Sequence, residues 1–498
     1  MTERSLETEL TTPNGYKVTV NTGLFINNEF VPGADTISTI NPSTGKVITS
    51  VQAAEAEQVD LAVEAAYKAF YGGWKTTSAR ERARLLLKLA DLVERDSEDL
   101  AHLETLDNGK PLSTSREIDV PSLASHLRYF AGFCDKIHGK TIETEGKLSY
   151  TVYEPLGVCA AIIPWNAPLV MISKKIAPAL CAGNTIVFKT SELTPLSSLK
   201  FASLVKETGF PPGVVNFITG YGNIVGEGLS RHMKVSKVTF TGSAPTGRAI
   251  MKGASESNLK RVSLELGGKS PNIIFDDVED LDHAVVSAYQ AIYYNSGQVC
   301  CAGSRVYVQE GIYDRFVEKF KAMTEATKIG NPFIQETFQG PQISEAQFNR
   351  VMSYIDIGKK EGATCFVGGN RHGDNGYFIE PTIFTDVKSD MRIMKEEIFG
   401  PVVTISKFKD EEEVVAKAND SIYGLGAAVF TSNIKRAIRV SNALEAGTVC
   451  VNEYNMFSDD CPFGGYKQSG IGRENSEYAL LEYLQIKTIK INIRSPNE

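Results

Sequence analysis

The sequence is poor in the residues and spacings that build metal centres and disulfide frameworks. Its six histidines are scattered along 498 residues, and it contains neither a Cys-x-x-Cys nor a His-Glu-x-x-His motif. Its eight cysteines follow no regular spacing. Because zinc sites and disulfide scaffolds depend on such patterns, we predict no metal site and reduced cysteines. The scarcity of histidine also predicts that any catalytic base is another residue type.

Long apolar runs and an excess of positive charge are also missing. No stretch approaches the about 18 continuous apolar residues of a membrane-spanning helix, and the formal net charge is -8. The first nine residues are acidic and lack an apolar core, unlike a secretory signal or an Arg-rich presequence. We therefore expect a cytoplasmic protein with neither nucleic-acid nor membrane partners. With 42% hydrophobic and 22% charged residues, the chain is long enough for two or three globular domains.

Two adjacent cysteines occupy a loop of small residues. Cys300 and Cys301 lie in the segment Asn-Ser-Gly-Gln-Val-Cys-Cys-Ala-Gly-Ser-Arg at 295–305, between a predicted helix and a predicted strand. A thiol in such a loop can act as a nucleophile when its surroundings lower its pKa. The reaction would also need a base, a group that holds an oxyanion and an electron acceptor. The rest of the chain offers residues for the first two roles and a binding site for the third.

Short apolar runs alternate with amphipathic segments in the first half of the chain. This alternation is typical of a doubly wound, mostly parallel α/β sheet that binds a nucleotide. Helices are predicted to begin near Pro195, Asn223 and Pro245, where Pro or Asn provides a start signal. The predicted strands are 158–164, 185–189, 214–219, 237–241 and 261–266.

A second alternating block follows the cysteine loop. It predicts a separate α/β lobe, with a ligand cleft between this lobe and the first sheet. The predicted strands are 305–308, 402–406 and 427–430, and the predicted helices are 314–328 and 345–361.

Three segments of the first block place glycines or paired charges at the ends of predicted strands. The glycine-rich stretch 220–226, with Gly220, Gly222 and Gly226, is spaced one residue too long for the dinucleotide fingerprint, so a simple glycine turn is an equal alternative. Thr241-Gly242-Ser243 precedes a helix whose free N–H groups attract a phosphate, unless Ser243 is only a helix cap. Lys189 and Glu192 follow a strand where ribose hydroxyls bind in such sheets, unless they form a surface ion pair.

Two further residues follow predicted strands and suit a reaction at a thiol. Glu265 ends an apolar strand, where burial would raise its pKa toward that of a general base. The alternative is a solvated charge at a strand end. Asn166 follows another strand, and its amide either forms a turn or holds an oxyanion together with the backbone N–H of Cys300.

Together these motifs resemble those of the aldehyde dehydrogenase superfamily, in its non-acylating, NAD(P)-dependent branch. The resemblance extends from about Gly23 to the C-terminus. The motifs that carry it are Asn166, Lys189-x-x-Glu192, Thr241-Gly242-Ser243, Glu265-Leu266-Gly267-Gly268-Lys269, Gly297-Gln298-x-Cys300, Glu397-Ile398-Phe399-Gly400-Pro401 and Pro462-Phe463-Gly464-Gly465-Tyr466-Lys467.

The resemblance implies an α/β fold with three parts. A Rossmann-like, doubly wound NAD-binding domain would comprise 1–137 and 154–266, and a second α/β catalytic domain would comprise 267–475. A small β arm at 138–153 and 476–498 would join subunits into a homodimer or homotetramer.

The resemblance also assigns catalytic roles. Cys300 would attack an aldehyde to give a thiohemiacetal, whose oxyanion is held by Asn166 and the Cys300 N–H. Hydride transfer to NAD would leave a thioester, and Glu265 would activate the water that releases the carboxylic acid. Lys175 and Glu474 match family positions that relay protons.

By the same resemblance, NAD is the cofactor and NADP is possible. The Glu192 carboxylate favours NAD, because it would repel a 2′-phosphate. The implied cofactor-binding residues are Ile163, Trp165, Lys189, Glu192, Gly222, Gly226, Thr241, Gly242, Ser243, Leu266, Glu397 and Phe399.

The predicted substrate tunnel departs from the commonest family pattern. Ala167 and Lys174 occupy positions where many relatives have aromatic rings, so we expect a wider tunnel with one polar wall. The same Trp-Asn-Ala-Pro motif occurs in salicylaldehyde- and vanillin-type dehydrogenases, so we predict an aldehyde that is bulkier, aromatic or more polar than acetaldehyde. The remaining tunnel residues are Cys301, Phe457 and Phe463.

Two alternatives to this interpretation remain. The enzymes of the superfamily that pass the acyl group to coenzyme A usually lack an equivalent of Glu265. A catalytically inactive binding or structural descendant tends to lose the cysteine, glutamate or asparagine. This chain keeps all three residues, at Cys300, Glu265 and Asn166.

Overall fold

The computed structural model describes residues 6–454 and 458–494. The strands, in chain order, are β1 (Glu7–Thr11), β2 (Lys17–Asn21), β3 (Leu24–Ile26), β4 (Glu29–Val31), β5 (Asp35–Asn41), β6 (Lys46–Ala53), β7 (Thr141–Thr144), β8 (Lys147–Pro155), β9 (Val158–Ile162), β10 (Thr185–Thr190), β11 (Val215–Thr219), β12 (Val235–Thr241), β13 (Arg261–Glu265), β14 (Pro271–Ile274), β15 (Arg305–Gln309), β16 (Thr364–Val367), β17 (Thr382–Thr385), β18 (Val402–Phe408), β19 (Tyr423–Gly424), β20 (Gly426–Phe430), β21 (Thr448–Val451), β22 (Tyr466–Lys467), β23 (Gly470–Ile471) and β24 (Leu484–Asn492).

The helices cover both large sheets. In chain order they are α1 (Ala56–Tyr71), α2 (Ala79–Arg95), α3 (Ser97–Asn108), α4 (Leu112–Thr114), α5 (Val120–Ala131), α6 (Pro168–Cys181), α7 (Leu196–Thr208), α8 (Glu227–Arg231), α9 (Ala244–Ser255), α10 (Leu281–Tyr293), α11 (Tyr313–Glu325), α12 (Glu345–Lys360), α13 (Arg392–Lys395), α14 (Glu411–Asn419), α15 (Ile434–Ala443) and α16 (Ser476–Leu481).

The first large sheet has the strand order β23-β13-β12-β9-β10-β11-β3-β4. Its strands from β13 to β11 are parallel, and each matches a predicted strand to within about two residues at either end. The chain passes from β9 to β11 on one side and then returns to place β12 and β13 on the other. Ligands of doubly wound sheets bind at such a reversal, outside the carboxyl ends of the strands.

Successive side chains of the buried strands pack alternately into two separate hydrophobic cores, one on each face of the sheet. Cys159 and Ala161 face the helices α2, α5, α6 and α7, whereas Val158, Ala160 and Ile162 face α1, α8 and α9. This is the two-residue period of a strand covered on both faces. The prediction of an α/β doubly wound sheet is therefore confirmed.

The second large sheet has the order β16-β17-β18-β15-β14-β20-β21, and all of its strands except β16 are parallel. Helices α10 and α11 pack on one face, and α12, α14 and α15 pack on the other. The predicted second α/β lobe is present, although the helix expected at 314–328 ends earlier, at Glu325.

The helix predicted near Asn223 differs more from its expectation. Residues 222–226 form one wide turn with five-residue spacing, and α8 follows it at Glu227. Glycine destabilises a regular helix, and this turn begins and ends with Gly222 and Gly226.

A three-stranded antiparallel sheet, β24-β8-β7, stands apart from the two large sheets. Strands β24 and β8 pair along nine residues, from Leu484 opposite Pro155 to Asn492 opposite Lys147. Several apolar side chains of this small sheet are exposed, including Ile486 at 62%. Over the described ranges, no helix is long and apolar enough to cross a membrane.

Candidate active site

A cleft of about 470 Å³ opens where the two large sheets meet. It lies at the carboxyl ends of β9 and β12, at the reversal of strand order in the first sheet. The second sheet contributes its amino-terminal end, because Cys300 precedes β15. The predicted site residues that line the cleft are Trp165, Asn166, Thr241, Gly242, Ser243, Leu266, Cys300, Glu397 and Phe399.

The loop before the thiol is a tight left-handed turn. Asn295, Ser296 and Gly297 have φ values of 50°, 56° and 73°. Such backbone is costly for most residues other than glycine and asparagine. No larger residue fits at position 297, because a Cβ there would lie 2.1 Å from the carbonyl oxygen of Gly400. The turn follows α10 and carries the chain to Cys300 at the cleft.

The two adjacent thiols have opposite properties. A hydrogen bond from the Cys301 thiol and the positive charge of Lys174 lower the pKa of Cys300 to about 7. The same hydrogen bond raises the pKa of Cys301 well above its usual value. Cys301 is buried, and Cys300 is partly accessible from the cleft. Because the thiolate is the nucleophilic form, the lowered pKa gives Cys300 the larger nucleophilic fraction of the pair near neutral pH.

The Asn166 amide lies beside the thiol loop. Its nitrogen donates a hydrogen bond to the carbonyl oxygen of Gln298 at 2.9 Å. A side-chain amide carries two N–H groups, so the second one is available to an oxygen in the cleft. The side chain is buried, which strengthens any hydrogen bond that this N–H makes.

Glu265 is a buried carboxyl group and not a solvated strand-end charge. It is only 4% exposed, and within the described residues neither of its oxygens has a hydrogen-bond partner. Burial therefore raises the pKa of Glu265 to about 8. A group of this pKa can exchange protons near neutral pH. Gly464 packs against it, since a Cβ at that position would lie 2.8 Å from Glu265 Oε1.

Lys175 and Glu474 are brought together next to this group. The Lys175 ammonium forms an ion pair with the Glu474 carboxylate and donates to the Thr241 hydroxyl at 2.8 Å. Burial lowers the pKa of Lys175 to about 7. The nearby charge of Glu265 acts in the opposite direction, and Lys175 in turn lowers the pKa of Glu265.

The opposite wall of the cleft carries Glu397 and Phe399. Burial raises the pKa of Glu397 to about 7, and its Oε1 accepts a hydrogen bond from the Gly268 N–H at 3.2 Å. Phe399 has a left-handed φ of 63°. Its ring meets the Trp165 ring edge-on, with 5.2 Å between the ring centroids.

Local structure alone can also explain the residue types at two predicted cofactor-binding positions, Gly242 and Ser243. Ser243 caps α9, because its hydroxyl accepts a hydrogen bond from the Thr246 N–H at 3.4 Å. A Cβ at Gly242 would lie 2.4 Å from the Phe240 ring, so packing against Phe240 already requires glycine. Both residues nevertheless line the cleft.

The remaining cofactor positions lie beside the cleft, on neighbouring strand ends. Lys189 and Glu192 form an ion pair at 2.8 Å, and the Ile163 N–H donates to the Lys189 carbonyl at 3.1 Å. Gly222 and Gly226 belong to the wide turn after β11. These five residues lie at or just after the carboxyl ends of β9, β10 and β11, which are neighbouring strands of the first sheet.

Two of the predicted tunnel residues, Lys174 and Phe463, lie close to the thiols. The Lys174 ammonium lies 4.5 Å from the centre of the Phe463 ring and 3.8 Å from Glu474 Oε2. Phe463 packs against Cys301, and Ala167 begins α6. Phe457 lies outside the described residues.

Several residues that the sequence analysis did not identify also shape the site. Arg350 and Gln347 on α12 donate to the carbonyls of Glu397 and Phe399, at 2.9 Å and 2.8 Å. Asn108 donates to the Trp165 carbonyl at 2.6 Å. The Asn108-Gly-Lys-Pro sequence was a visible turn signal, but nothing local connects it to Trp165.

A doubly wound sheet, a cleft at its switch point and a thiol of lowered pKa in that cleft are features of nucleotide-dependent enzymes of the α/β class. The model of the aldehyde dehydrogenase family matches residues 30–489. The chain belongs to the aldehyde dehydrogenase family, and it is an oxidoreductase that uses NAD(P) to oxidise an aldehyde.

Relatives support this assignment across nearly the whole chain. An aldehyde dehydrogenase from Emericella nidulans is 58% identical over 470 residues, covering 94% of each chain. One from Aspergillus niger is 55% identical over 96% of this chain and 97% of the relative. The NAD+ complex of a Bacillus cereus aldehyde dehydrogenase matches with a TM-score of 0.94 and 49% identity, over 95% of this chain and 97% of that one. An indole-3-acetaldehyde dehydrogenase from P. syringae matches with a TM-score of 0.94 and 42% identity, over 95% of this chain and 97% of that one.

Proposed function

We propose that this enzyme oxidises aldehydes through a thioester on Cys300, with Asn166 holding the oxyanion and Glu265 activating water. The observation that carries the proposal is the convergence of these residues. A thiol of lowered pKa lines the same cleft as the Asn166 amide. On the first sheet, Glu265 ends β13, next to the strand whose carboxyl end borders the cleft.

The thiolate attacks the carbonyl carbon, and the carbonyl oxygen becomes an oxyanion. The second N–H of the Asn166 amide and the backbone N–H of Cys300 donate to this oxygen. Fixed donors aimed at a developing negative charge are worth about 10²–10³ in rate. The Gln298 carbonyl orients the amide beforehand, because it accepts the first N–H at 2.9 Å.

The cleft residues suit a nicotinamide dinucleotide. Ser243 stands at the amino-terminal end of the twelve-residue helix α9, which favours a pyrophosphate. Lys189 and Glu192 would hold the adenosine ribose, Glu397 the nicotinamide ribose, and Phe399 would pack against the ring. When bound, NAD supplies the hydride acceptor. Glu192 favours NAD over NADP, because a 2′-phosphate would face its carboxylate.

Glu265 takes a proton from the water that hydrolyses the thioester. Its pKa of about 8 makes it a stronger base than an exposed carboxylate. The proton has a route away from the site through Lys175 and Glu474, which form an ion pair next to Glu265. Splitting the reaction in this way requires a nucleophile and a separate base, the roles proposed for Cys300 and Glu265.

We propose that the domain boundaries separate the two large sheets. The first sheet binds the cofactor and the second carries the thiol, with domain boundaries at 1–137, 154–266 and 267–475. The pairing of β23 with β13 shows that residues 470–471 cross back to the first sheet. Among the described residues no cysteines form a disulfide, which suits a reducing, cytoplasmic location.

We expect aromatic aldehydes to be better substrates than acetaldehyde. Ala167 and Lys174 stand where many relatives have aromatic rings, so we expect the tunnel to admit an aromatic ring. The P. syringae relative is named for an indole aldehyde. A difference of about 10- to 100-fold in kcat/KM is reasonable for filling such a pocket. NADH absorbance with acetaldehyde, long aliphatic, amino and benzaldehyde-type substrates tests this, with NAD and NADP compared in parallel.

Variants at Lys174 distinguish the effect of tunnel width on substrate preference from the effect of the lysine charge. Lys174→Trp should lower kcat/KM for benzaldehydes much more than for acetaldehyde, whereas Lys174→Met should have a smaller effect. The comparison belongs at a pH well above the pKa of Cys300, so that thiol ionisation does not contribute. If the enzyme prefers acetaldehyde, the predicted preference for aromatic aldehydes is wrong. If it prefers NADP, the predicted preference for NAD is wrong.

The small sheet is proposed as the surface that joins subunits. Ile486 and Ile491 on β24 are 62% and 44% exposed, and β24 is an edge strand. An exposed edge strand can pair with another chain, and exposed apolar patches often mark interaction surfaces. Light scattering should give the mass of a dimer or tetramer, and Ile486→Asp should reduce it. Met233→Asp, at a residue that is 66% exposed on the first domain, is the matched control. A monomeric mass for the unmodified protein would contradict this proposal.

A further inference from the structure

The side chain of Asn295 connects two adjacent loops that line the cleft. Its amide nitrogen donates to the carbonyl oxygen of Asn166 at 3.0 Å and to that of Gln298 at 3.4 Å. The Asn166 amide donates to the same Gln298 carbonyl at 2.9 Å. One buried amide therefore links the loop after β9 to the loop that carries Cys300.

The turn that holds Asn295 is anchored on its far side. The Ser296 hydroxyl donates to the Gly340 carbonyl at 2.9 Å. The side-chain oxygen of Gln298 accepts a hydrogen bond from the Ile343 N–H at 3.0 Å. Asn295 itself is 5% exposed and has a φ of 50°, a conformation that asparagine tolerates better than most residues. The turn is thus fixed to the second domain, and its amide reaches across to the first.

A second amide holds Asn166 from the opposite direction. Asn108 donates to the Trp165 carbonyl at 2.6 Å and to the Asn166 carbonyl at 3.3 Å. Its chain neighbours are held in place, because Asp107 accepts from the Leu196 N–H at 2.9 Å and the buried Lys110 forms an ion pair with Glu104 at 3.2 Å. The Asn166 carbonyl is therefore clamped between two amides from different parts of the chain.

We infer that Asn295 is a positioning residue that, together with Asn108, sets the distance between the Asn166 amide and Cys300. The inference rests on the proposed function, in which Asn166 holds the oxyanion. Asn295 is not proposed to touch the reacting atoms. It acts by fixing where the second Asn166 N–H points relative to the thiol, and a misplacement of about 1 Å in such a site can cost about 10²-fold in rate.

Asn295→Gly is the variant that isolates this role. Glycine accepts the left-handed backbone and removes only the side-chain amide. In single-turnover measurements of NADH formation, we expect the rate to fall about 10- to 100-fold. Asn295→Asp keeps the size but replaces the donor with an acceptor, and it should be at least as slow. The KM for NAD and the iodoacetamide reactivity of Cys300 should stay unchanged.

The decisive comparison uses the Asn166→Ala background. If Asn295 acts through Asn166, Asn295→Gly should cause no further loss in an enzyme that already lacks the amide, since residues that act as a unit are not additive. An equal loss in both backgrounds would overturn the inference while leaving the proposed function intact. An Asn166→Ala enzyme as fast as the wild type would instead overturn the proposed oxyanion role. If Asn295→Gly lowers the thermal unfolding temperature strongly, Asn108→Ala gives the same test from the other side of the clamp, with the same two opposing outcomes.

Discussion

Replacing Cys300 with alanine should lower NAD reduction by about 10⁴-fold or more, because the enzyme would lose the atom to which the substrate bonds. Cofactor binding should persist, since the proposed NAD contacts lie on other residues. The chain has two tryptophans. Trp165 lines the cleft and Trp74 is buried elsewhere, so quenching of tryptophan fluorescence by NAD can report binding to Cys300→Ala.

Cys301→Ala is the matched control for this prediction. It removes the neighbouring thiol and leaves the proposed nucleophile, so activity should remain within about tenfold of the wild type. Because the Cys301 thiol donates to Cys300, its loss should also raise the pKa of Cys300. A Cys301→Ala enzyme that is as inactive as Cys300→Ala would show that the roles of the two thiols have been assigned incorrectly.

The ionisation of the thiol can be measured directly. The iodoacetamide alkylation rate of Cys300 should rise with pH around a midpoint near 7, the value to which its surroundings lower the pKa. Cys461 is exposed and would react as well, so the measurement belongs in a Cys461→Ser background. A midpoint near that of an ordinary thiol, about 8.5, would contradict the lowered pKa.

The strands of the first sheet and the start of helix α9 could be predicted from local sequence, because burial and helix capping constrain nearby residues. The strands β9, β10 and β11 are buried along their whole length, and this burial requires the mostly apolar runs that the sequence displays. Helix α9 begins where Ser243 and Pro245 signal a start. The stretch 222–226 also carried a start signal, but glycines at both ends of the stretch favoured a wide turn over the expected regular helix.

The supporting contacts of the site could not be predicted, because they join distant parts of the chain. Asn108 and Trp165 are separated by 57 residues, and Arg350 and Glu397 by 47. Asn and Arg at these positions have many satisfactory local partners, so no periodicity or spacing selects the observed one. The burial of Glu265 is similar: its sequence position allowed a solvated charge, and packing against distant residues such as Gly464 and Gly470 removes it from water.

Replacing Glu265 with glutamine should separate the two halves of the reaction. The isosteric amide cannot take a proton from water, so the thioester should form and then persist. We expect a burst of about one NADH per subunit, followed by a steady-state rate that is about 10²- to 10⁴-fold below that of the wild type. Stopped-flow absorbance of NADH measures both phases in one experiment. Loss of the burst together with the steady state would place Glu265 in the attack of the thiol instead of in hydrolysis.

The pH dependence of the same step gives an independent test. The base works only when ionised, and burial raises the pKa of Glu265 to about 8. The rate of thioester hydrolysis in the wild type should therefore increase as pH rises through about 8, and should fall as the carboxylate is protonated below that value. Glu265→Gln should lose this dependence. Hydroxylamine attacks a thioester without a protein base, so it should restore turnover of the variant and release a hydroxamate. A variant that hydroxylamine fails to rescue, although its burst is normal, would mean that the accumulated species is not a thioester.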